Sequence, residues 1–388
     1  MSLKILHTSS TWLPQTQTWM HTQCKYLPAP FEQHILCTRT QNLDQFPMAN
    51  IHCFEQEASP WMQFTQKAWR KVWSQMGGRT NLPYMAGKAR LIGPDIVHSH
   101  FGDQGWADMP LVKKSGTRHV VTFYGADISR LPVQQVWRDR YADLFKSVDR
   151  FLCEGPHMGG CLESLGCPAD KIRIQHLGIE LDRYPYQPRA WKQGEPLRVL
   201  LAGRFTEKKG LPYAVEALGR ISKDHDVHLT IIGDAPPGSK VCLKEKQEIL
   251  SAIERHALSS RVTFLGYQPH ARMIHEAYNN HLFVSPSVTA ASGDTEGGAP
   301  VSIIEMAATG MPVISTTHCD IPSVLNYGEE GWLTEERDVD GVVAILKKWL
   351  IAPELWKQRV AYARKHIESE YDAVTQGKRL GEIYQELD

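Results

Sequence analysis

The sequence contains no uninterrupted apolar run of the length, about 18 residues, that a membrane-crossing helix needs. It has no excess of charge either: 43 Lys and Arg balance 43 Asp and Glu. A neutral chain is not built as a nucleic-acid binder or an acid-tailed protein, so any electrostatic message must be local. None of the eight cysteines forms a C-x-x-C pair, and Cys37 and Cys153 sit in apolar, strand-like runs. Free buried thiols in a reducing compartment are the expectation. "MSLKILHTSS" lacks the charged-then-apolar pattern of a leader, which predicts a cytoplasmic chain. No G-x-G-x-x-G opens a first-strand turn, which argues against a nicotinamide oxidoreductase. There is no internal repeat and no low-complexity tract.

What is present is alternation. Short apolar runs at 4–8, 34–38, 50–54, 95–100, 119–125, 150–155 and 172–178 are separated by stretches long enough for helices. That pattern predicts a parallel sheet covered on both faces. A polar stretch with three prolines, "DRYPYQPRAWKQGEP" at 182–196, reads as a linker. The pattern then restarts at 197–203, 228–234, 261–267, 281–287 and 311–317, and ends in helical sequence from about 339. The expected fold is α/β, with two doubly wound Rossmann-like domains facing across a cleft. The boundaries are 1–185, 186–365, and a last helix over 366–388.

Chemistry concentrates at the strand ends. "AGRFTEKKG" (202–210) places Arg204 and Lys209 after a strand, where two cations suit a pyrophosphate. A solvated basic turn would look the same. "GDTEGGAPVSIIEMAATGMPVIST" (293–316) reads as a loop and a short helix, starting near Pro300 and stopping at Gly310. Gly297, Gly298, Ala299 and Pro300 let the backbone approach an anion at the helix start. Glu305, one turn in, suits a ribose, and Glu296 suits a sugar. Both glutamates could equally serve only to favour the positive helix end. "FLGYQPHARMIHEAY" holds Tyr267 at a third strand end, a place for a flat nucleobase or a plain βα junction. "VTFYGADISR" sets Tyr124 and Asp127 at a strand end of the first domain, where an ordinary turn is the competing reading.

With "VHSHFG", "CPADKIRIQHLGIELDRY" and "WLPQTQTWMHTQ", these segments resemble the retaining GT-B glycosyltransferases of family 4 (GT4). The likeness is greatest to the branch that builds bacterial exopolysaccharides such as colanic acid, and it covers most of the chain. The resemblance implies a nucleotide-sugar donor held by the C-terminal domain and a saccharide or lipid-linked acceptor held by the N-terminal domain. It further implies retained anomeric configuration and no metal or other cofactor. Arg204, Lys209 and Glu296 would act on the reacting groups. Glu305, Gly297, Gly298, Ala299, Pro300, Tyr267, Tyr124 and Asp127 would hold the donor. Thr16, Gln17 and His100 would lie on the acceptor side. The last helix would return to the N-terminal domain.

Two departures stand out. Eight residues, Gly297 to Ile304, separate the glutamates, one more than the family spacing. Tyr124 stands where many relatives have His, and a phenol is no base near neutral pH. The altered spacing keeps a second function open, a non-catalytic GT-B-like protein that binds a nucleotide sugar or a partner transferase. His98 and His100 share a strand face, but no companion ligands are visible, so no metal is expected. Residues 58–94 contain six Lys or Arg and no acid. Within them, aromatic residues from Trp61 to Trp73 recur near helical spacing, which suits either a docked helix or one lying on an anionic membrane surface.

Overall fold

Two parallel sheets carry the chain. In this computed structural model, residues 2–14, 19–65, 81–325 and 332–388 are described. The first sheet contains β1 (Lys4–Trp12), β2 (Glu32–Thr40), β3 (Ile51–Cys53), β4 (Ile96–His100), β5 (Arg118–Thr122), β6 (Arg150–Cys153) and β7 (Ile172–Ile174), in the order β3-β2-β1-β4-β5-β6-β7. The second contains β8 (Leu197–Ala202), β9 (Val227–Ile232), β10 (Val262–Gly266), β11 (Leu282–Ser285), β12 (Val313–Thr316) and β13 (Leu333–Thr334), in the order β10-β9-β8-β11-β12-β13.

Contacts divide the chain into two units. One is Met1–Gly178 with Ala373–Asp388; the other is Ile179–Asp372. Each is a doubly wound sheet with helices on both faces, so its central strands are buried on both sides. All five residues of β4 and all four of β12 are buried. Burial on both faces removes the in–out alternation of a half-exposed strand, and the polar residues buried there, such as His98, Ser99 and His100, are hydrogen-bonded to residues on or just after the neighbouring strand β5. The final helix, Ala373–Gln385, packs in the first unit, where Leu380, Ile383 and Tyr384 join Ile5, Ile96 and Val120 in one apolar cluster.

The proline-rich stretch after 182 is not a free linker. Tyr184, Arg189 and Trp191 are buried against the second unit. The Arg189 guanidinium donates to the carbonyls of Ala277 and Thr309 and lies over the Tyr278 ring. Prolines made this segment look extended and solvated. Its aromatic residues and one stacked arginine fasten it down.

Each sheet reverses its winding direction once, between β1 and β4 in the first and between β8 and β11 in the second. Loops leaving the carboxyl ends of strands at such a point diverge and open a crevice for ligands. Gly210, at the end of the β8 loop, shows how tightly that region is built. Its φ is +62°, and a Cβ there would meet the Pro286 carbonyl oxygen at 1.8 Å. Gly210→Ala is therefore expected to cost about 1–3 kcal/mol of stability, from left-handed strain plus the clash. Chemical denaturation of the two proteins checks this; an unchanged midpoint and slope would mean the loop has room to move.

Candidate active site

The sites are built from strand-end loops, starting with the second unit. After β8 the chain makes a turn, Gly203 to Thr206, and a single helical turn over Glu207–Lys209. The turn aims its two lysines at the loop that follows β11. Lys209 Nζ lies 2.9 Å from the Glu296 carboxylate. Lys208 Nζ donates to the Thr295 carbonyl at 2.8 Å and to Asp294 at 3.4 Å. Arg204 is exposed, and no carboxylate lies within ion-pair reach of it among the described residues. Burial raises the Tyr267 phenol pKa, and the charge of Arg204 works against that shift. Tyr267 itself is half exposed, its hydroxyl donating to the Asp234 carbonyl at 2.8 Å.

Glu296 is held on every side. Its carboxylate also accepts from Ser287 Oγ at 3.2 Å, and its backbone N–H donates to His318 Nε2 at 3.1 Å. Burial pushes the carboxyl pKa up, but Lys209 and Lys208 outweigh burial and hold it below the ordinary glutamate value. A carboxyl depressed in the folded state adds stability that is fully present above its unfolded pKa. That stability is lost as pH falls through the folded value. Glu296→Gln should therefore flatten the acid limb of the stability profile below about pH 4.5, as read by denaturation across pH. An acid limb identical to wild type would mean that Glu296 and Lys209 are not coupled.

The β11 loop enters the helix Val301–Ala308 through Gly297, Gly298, Ala299 and Pro300, all buried. Gly297 has φ +81°, and its amide turns back to Thr295 Oγ1 at 3.2 Å, so it is not free for an anion. The amides of Gly298 and Ala299 have no protein partner among the described residues. Pro300 immediately precedes the helix, which ends at Ala308 two residues short of Gly310.

Glu305 is buried one turn into this helix. One carboxylate oxygen, Oε1, accepts from Tyr184 OH and from His270 Nε2, each at 2.8 Å. Both donors share that oxygen, which fixes the carboxylate plane and leaves Oε2 to accept a further hydroxyl. Neither Tyr184 nor His270 carries a sequence signal for this role. Tyr184 lies in the segment read as linker, and His270 in a region read for its backbone.

The first unit has a buried polar cluster at its own winding reversal. Tyr124 OH and His100 Nδ1 are 2.6 Å apart, and His100 Nε2 is 3.1 Å from His7 Nδ1. The Tyr124 ring packs on Trp19, and burial raises its phenol pKa well above the usual value. His100 is fully buried, so any influence of it on a ligand passes through Tyr124. Asp127 is also buried, and its carboxylate accepts the amides of Gly102, Tyr124 and Gly125 at 2.8–3.3 Å. Burial drives its pKa up to about 6 against those donors. In this arrangement Asp127 shapes the loop that presents Tyr124. Thr16 and Gln17 lie outside the described residues, as do residues 66–80 of the basic aromatic segment. Residues 60–65 are helical, with Trp61 72% and Phe64 64% exposed.

His7 supplies the companion that the sequence did not reveal for His98 and His100. Parallel register pairs His7 with His98, and the three side chains bring ligand atoms within 4.8 Å of one another. Burial lowers the pKa of all three, to about 4 for His7, so each is neutral near pH 7. His98 already meets Tyr384 OH and Thr122 Oγ1 at 2.6 Å each, and His100 meets Tyr124 and His7. A cation would have to break that hydrogen-bonded chain, so the cluster fits a scaffold better than a metal centre.

Comparison with known proteins gives the family and the fold. Residues 186–366 match the family model described as glycosyl transferases group 1, and residues 17–183 match that of glycosyltransferase family 4. The amylovoran biosynthesis glycosyltransferase AmsK of Erwinia amylovora is 32% identical over 307 residues, covering 78% of this chain and 73% of that one. A Salmonella typhimurium protein named as a colanic acid biosynthesis glycosyltransferase, WcaL, is 26% identical over 370 residues, 92% of this chain and 89% of its own. In fold, the chain is similar to Anabaena Alr3699/HepE, solved with UDP and glucose. The TM-score is 0.77 at 16% identity, over 99% of this chain and 100% of that one.

Proposed function

Since the chain belongs to the family 4, group 1 glycosyltransferases, we propose that it moves a hexosyl group from a nucleotide sugar to a saccharide hydroxyl in the assembly of a cell-surface polysaccharide, with retention at the anomeric carbon. One observation carries the reading. Arg204 and Lys209 leave the β8 end at the winding reversal, beside a buried glutamate and the start of a helix. The names of AmsK and WcaL support the polysaccharide context.

The chemistry follows from charge. As the glycosidic bond breaks, negative charge grows on the leaving diphosphate. Arg204, Lys209 and the amides of Gly298 and Ala299 stabilise it, which is preorganised electrostatics. These cations remove the need for a metal, so EDTA should leave the rate unchanged. Glu305 Oε2 accepts from the ribose, and Tyr267 borders the base. Glu296 faces the sugar, whose transition state is oxocarbenium-like. The leaving phosphate takes the acceptor proton on the same face. In the first unit, Tyr124, backed by His100, would offer a hydroxyl to a sugar once its buried hydrogen bonds rearrange.

Calorimetry with UDP, GDP and ADP, alongside turnover of UDP-glucose, UDP-galactose and GDP-mannose, tests the reading. Selective binding of one nucleotide, lost in Arg204→Ala, is expected. Tight binding with no transfer to any saccharide would point instead to a nucleotide-sugar-binding protein.

A lipid-linked acceptor would bring the enzyme to a membrane surface. Exposed Trp61 and Phe64, whose rings stack 6.3 Å apart beside a basic stretch of sequence, support that part of the proposal. Co-sedimentation with phosphatidylglycerol vesicles, weakened in Trp61→Ser/Phe64→Ser, is the expected result.

A further inference from the structure

The peptide group between Thr295 and Glu296 is gripped at both ends. Its carbonyl accepts from Lys208 Nζ at 2.8 Å, and its N–H donates to His318 Nε2 at 3.1 Å. His318 follows β12 and is 1% exposed. An imidazole nitrogen that accepts an N–H carries no proton, so the ring proton sits on Nδ1. That nitrogen lies 2.6 Å from Glu336 Oε1, and the carboxylate can only accept. Glu336 thus selects the tautomer that lets Nε2 receive the Glu296 amide.

Glu336 is itself anchored. It accepts from the Thr289 N–H at 2.7 Å and from Thr289 Oγ1 at 3.0 Å. Three loops meet here: Thr289 follows β11, His318 follows β12, and Glu336 follows β13. The Glu296 side chain is fixed separately by Lys209 and Ser287. Backbone and side chain are therefore held by different groups, and the direction of the carboxylate is set by both.

We infer that Glu336 and His318 are positioning residues for the transfer reaction. They lock the Thr295–Glu296 peptide so that the Glu296 carboxylate is presented to the donor sugar at a fixed angle. The inference rests on the reading of Glu296 as a group that acts on the sugar. An error of about 1 Å in such a group costs on the order of 100-fold in rate. An imidazole that lost Glu336 could place its proton on Nε2, facing the amide N–H it should accept.

The test uses His318→Ala, His318→Gln, Glu296→Ala and the His318→Ala/Glu296→Ala double variant in the full chain. Hydrogen exchange of peptides spanning Glu296 needs no donor. It should accelerate about tenfold or more in His318→Ala. His318→Gln, whose side-chain oxygen can accept the same N–H, should restore protection. Unchanged exchange in His318→Ala would overturn the inference.

Kinetics use whichever of UDP-glucose, UDP-galactose and GDP-mannose is turned over. His318→Ala should lower kcat about 10- to 100-fold with little change in KM, and His318→Gln should recover most of it. In the Glu296→Ala background, losing His318 should cost nothing further. Losses that multiply in the double variant would show that His318 acts elsewhere. If Glu296→Ala alone leaves kcat intact, the role of Glu296 is wrong. The exchange measurement still decides whether His318 holds the loop.

Discussion

Lys209→Ala is expected to lower kcat/KM for the nucleotide sugar by about 100- to 1000-fold, the range for removing one preorganised charge from a developing anion. Arg204→Ala should cost less, about 10- to 100-fold, because its side chain is exposed and water can replace part of what it does. The difference follows from placement. Lys209 is held 2.9 Å from a buried carboxylate, so its ammonium is already oriented before substrate arrives. Removing it also leaves Glu296 buried without its nearest cation, which threatens folding itself. Lys209→Arg separates the two effects. It keeps the charge and should restore stability, while a longer, forked side chain misplaces the cation and leaves kcat low. Steady-state kinetics with thermal unfolding of each variant decide the matter. Kinetics within about threefold of wild type in Lys209→Ala would remove this residue from the diphosphate site.

The residues that could be read from the sequence are those that punctuate strands. Arg204, Lys209, Glu296 and Glu305 each follow a short apolar run and sit among glycines or next to a helix start. A parallel α/β fold places such positions together at one end of a sheet. The Lys209–Glu296 pair, 87 residues apart in sequence, is a contact the sequence reading did not anticipate, since it gave Lys209 to the diphosphate and Glu296 to the sugar. Among the described residues, twelve of the thirteen strands in the two sheets were legible as apolar runs. The exception, β13, has two residues, too few for any period to register.

What the sequence hid depends on register and on side chains reaching across loops. His7 is one histidine inside an apolar strand; only its pairing with His98 across β1 and β4 makes it part of a cluster. His318 and Glu336 leave different strands, and nothing local in "TTHCD" or "TEERD" announces that they meet. Tyr184 and Arg189 lay in a proline-rich stretch whose composition outweighed its aromatic content. Asp127 was visible as a strand-end carboxylate, but its three amide partners were not. Composition and period locate loops, whereas the bonds that aim a side chain are long-range.

Glu296→Ala and Glu305→Ala are expected to fail in different ways, and the contrast tests the site as a whole. Both glutamates belong to one loop-helix segment and both side chains are buried, yet their partners differ. Glu296 is tied to a cation and a hydroxyl on the cation-bearing side, so its loss should fall on the chemical step. A drop of about 100-fold in kcat with nucleotide affinity nearly unchanged is the expected result. Glu305 instead accepts from a phenol and an imidazole, Tyr184 and His270, both on Oε1. On the proposed reading its loss would remove a charge-assisted hydrogen bond to the ribose, worth about 1.5–3 kcal/mol, or roughly 10- to 150-fold in nucleotide affinity. Calorimetry with the free nucleoside diphosphate reads Glu305 without the sugar, and saturating kinetics read Glu296 without binding. The extra residue between the two glutamates bears on the outcome. It lengthens the loop before the helix, so Glu296 relies on Lys208, Lys209, Ser287 and His318 for its place, whereas Glu305 relies on the helix. If the two variants exchanged their effects, the longer loop would have moved Glu296 to the nucleotide, and the sugar would have to be met by another group.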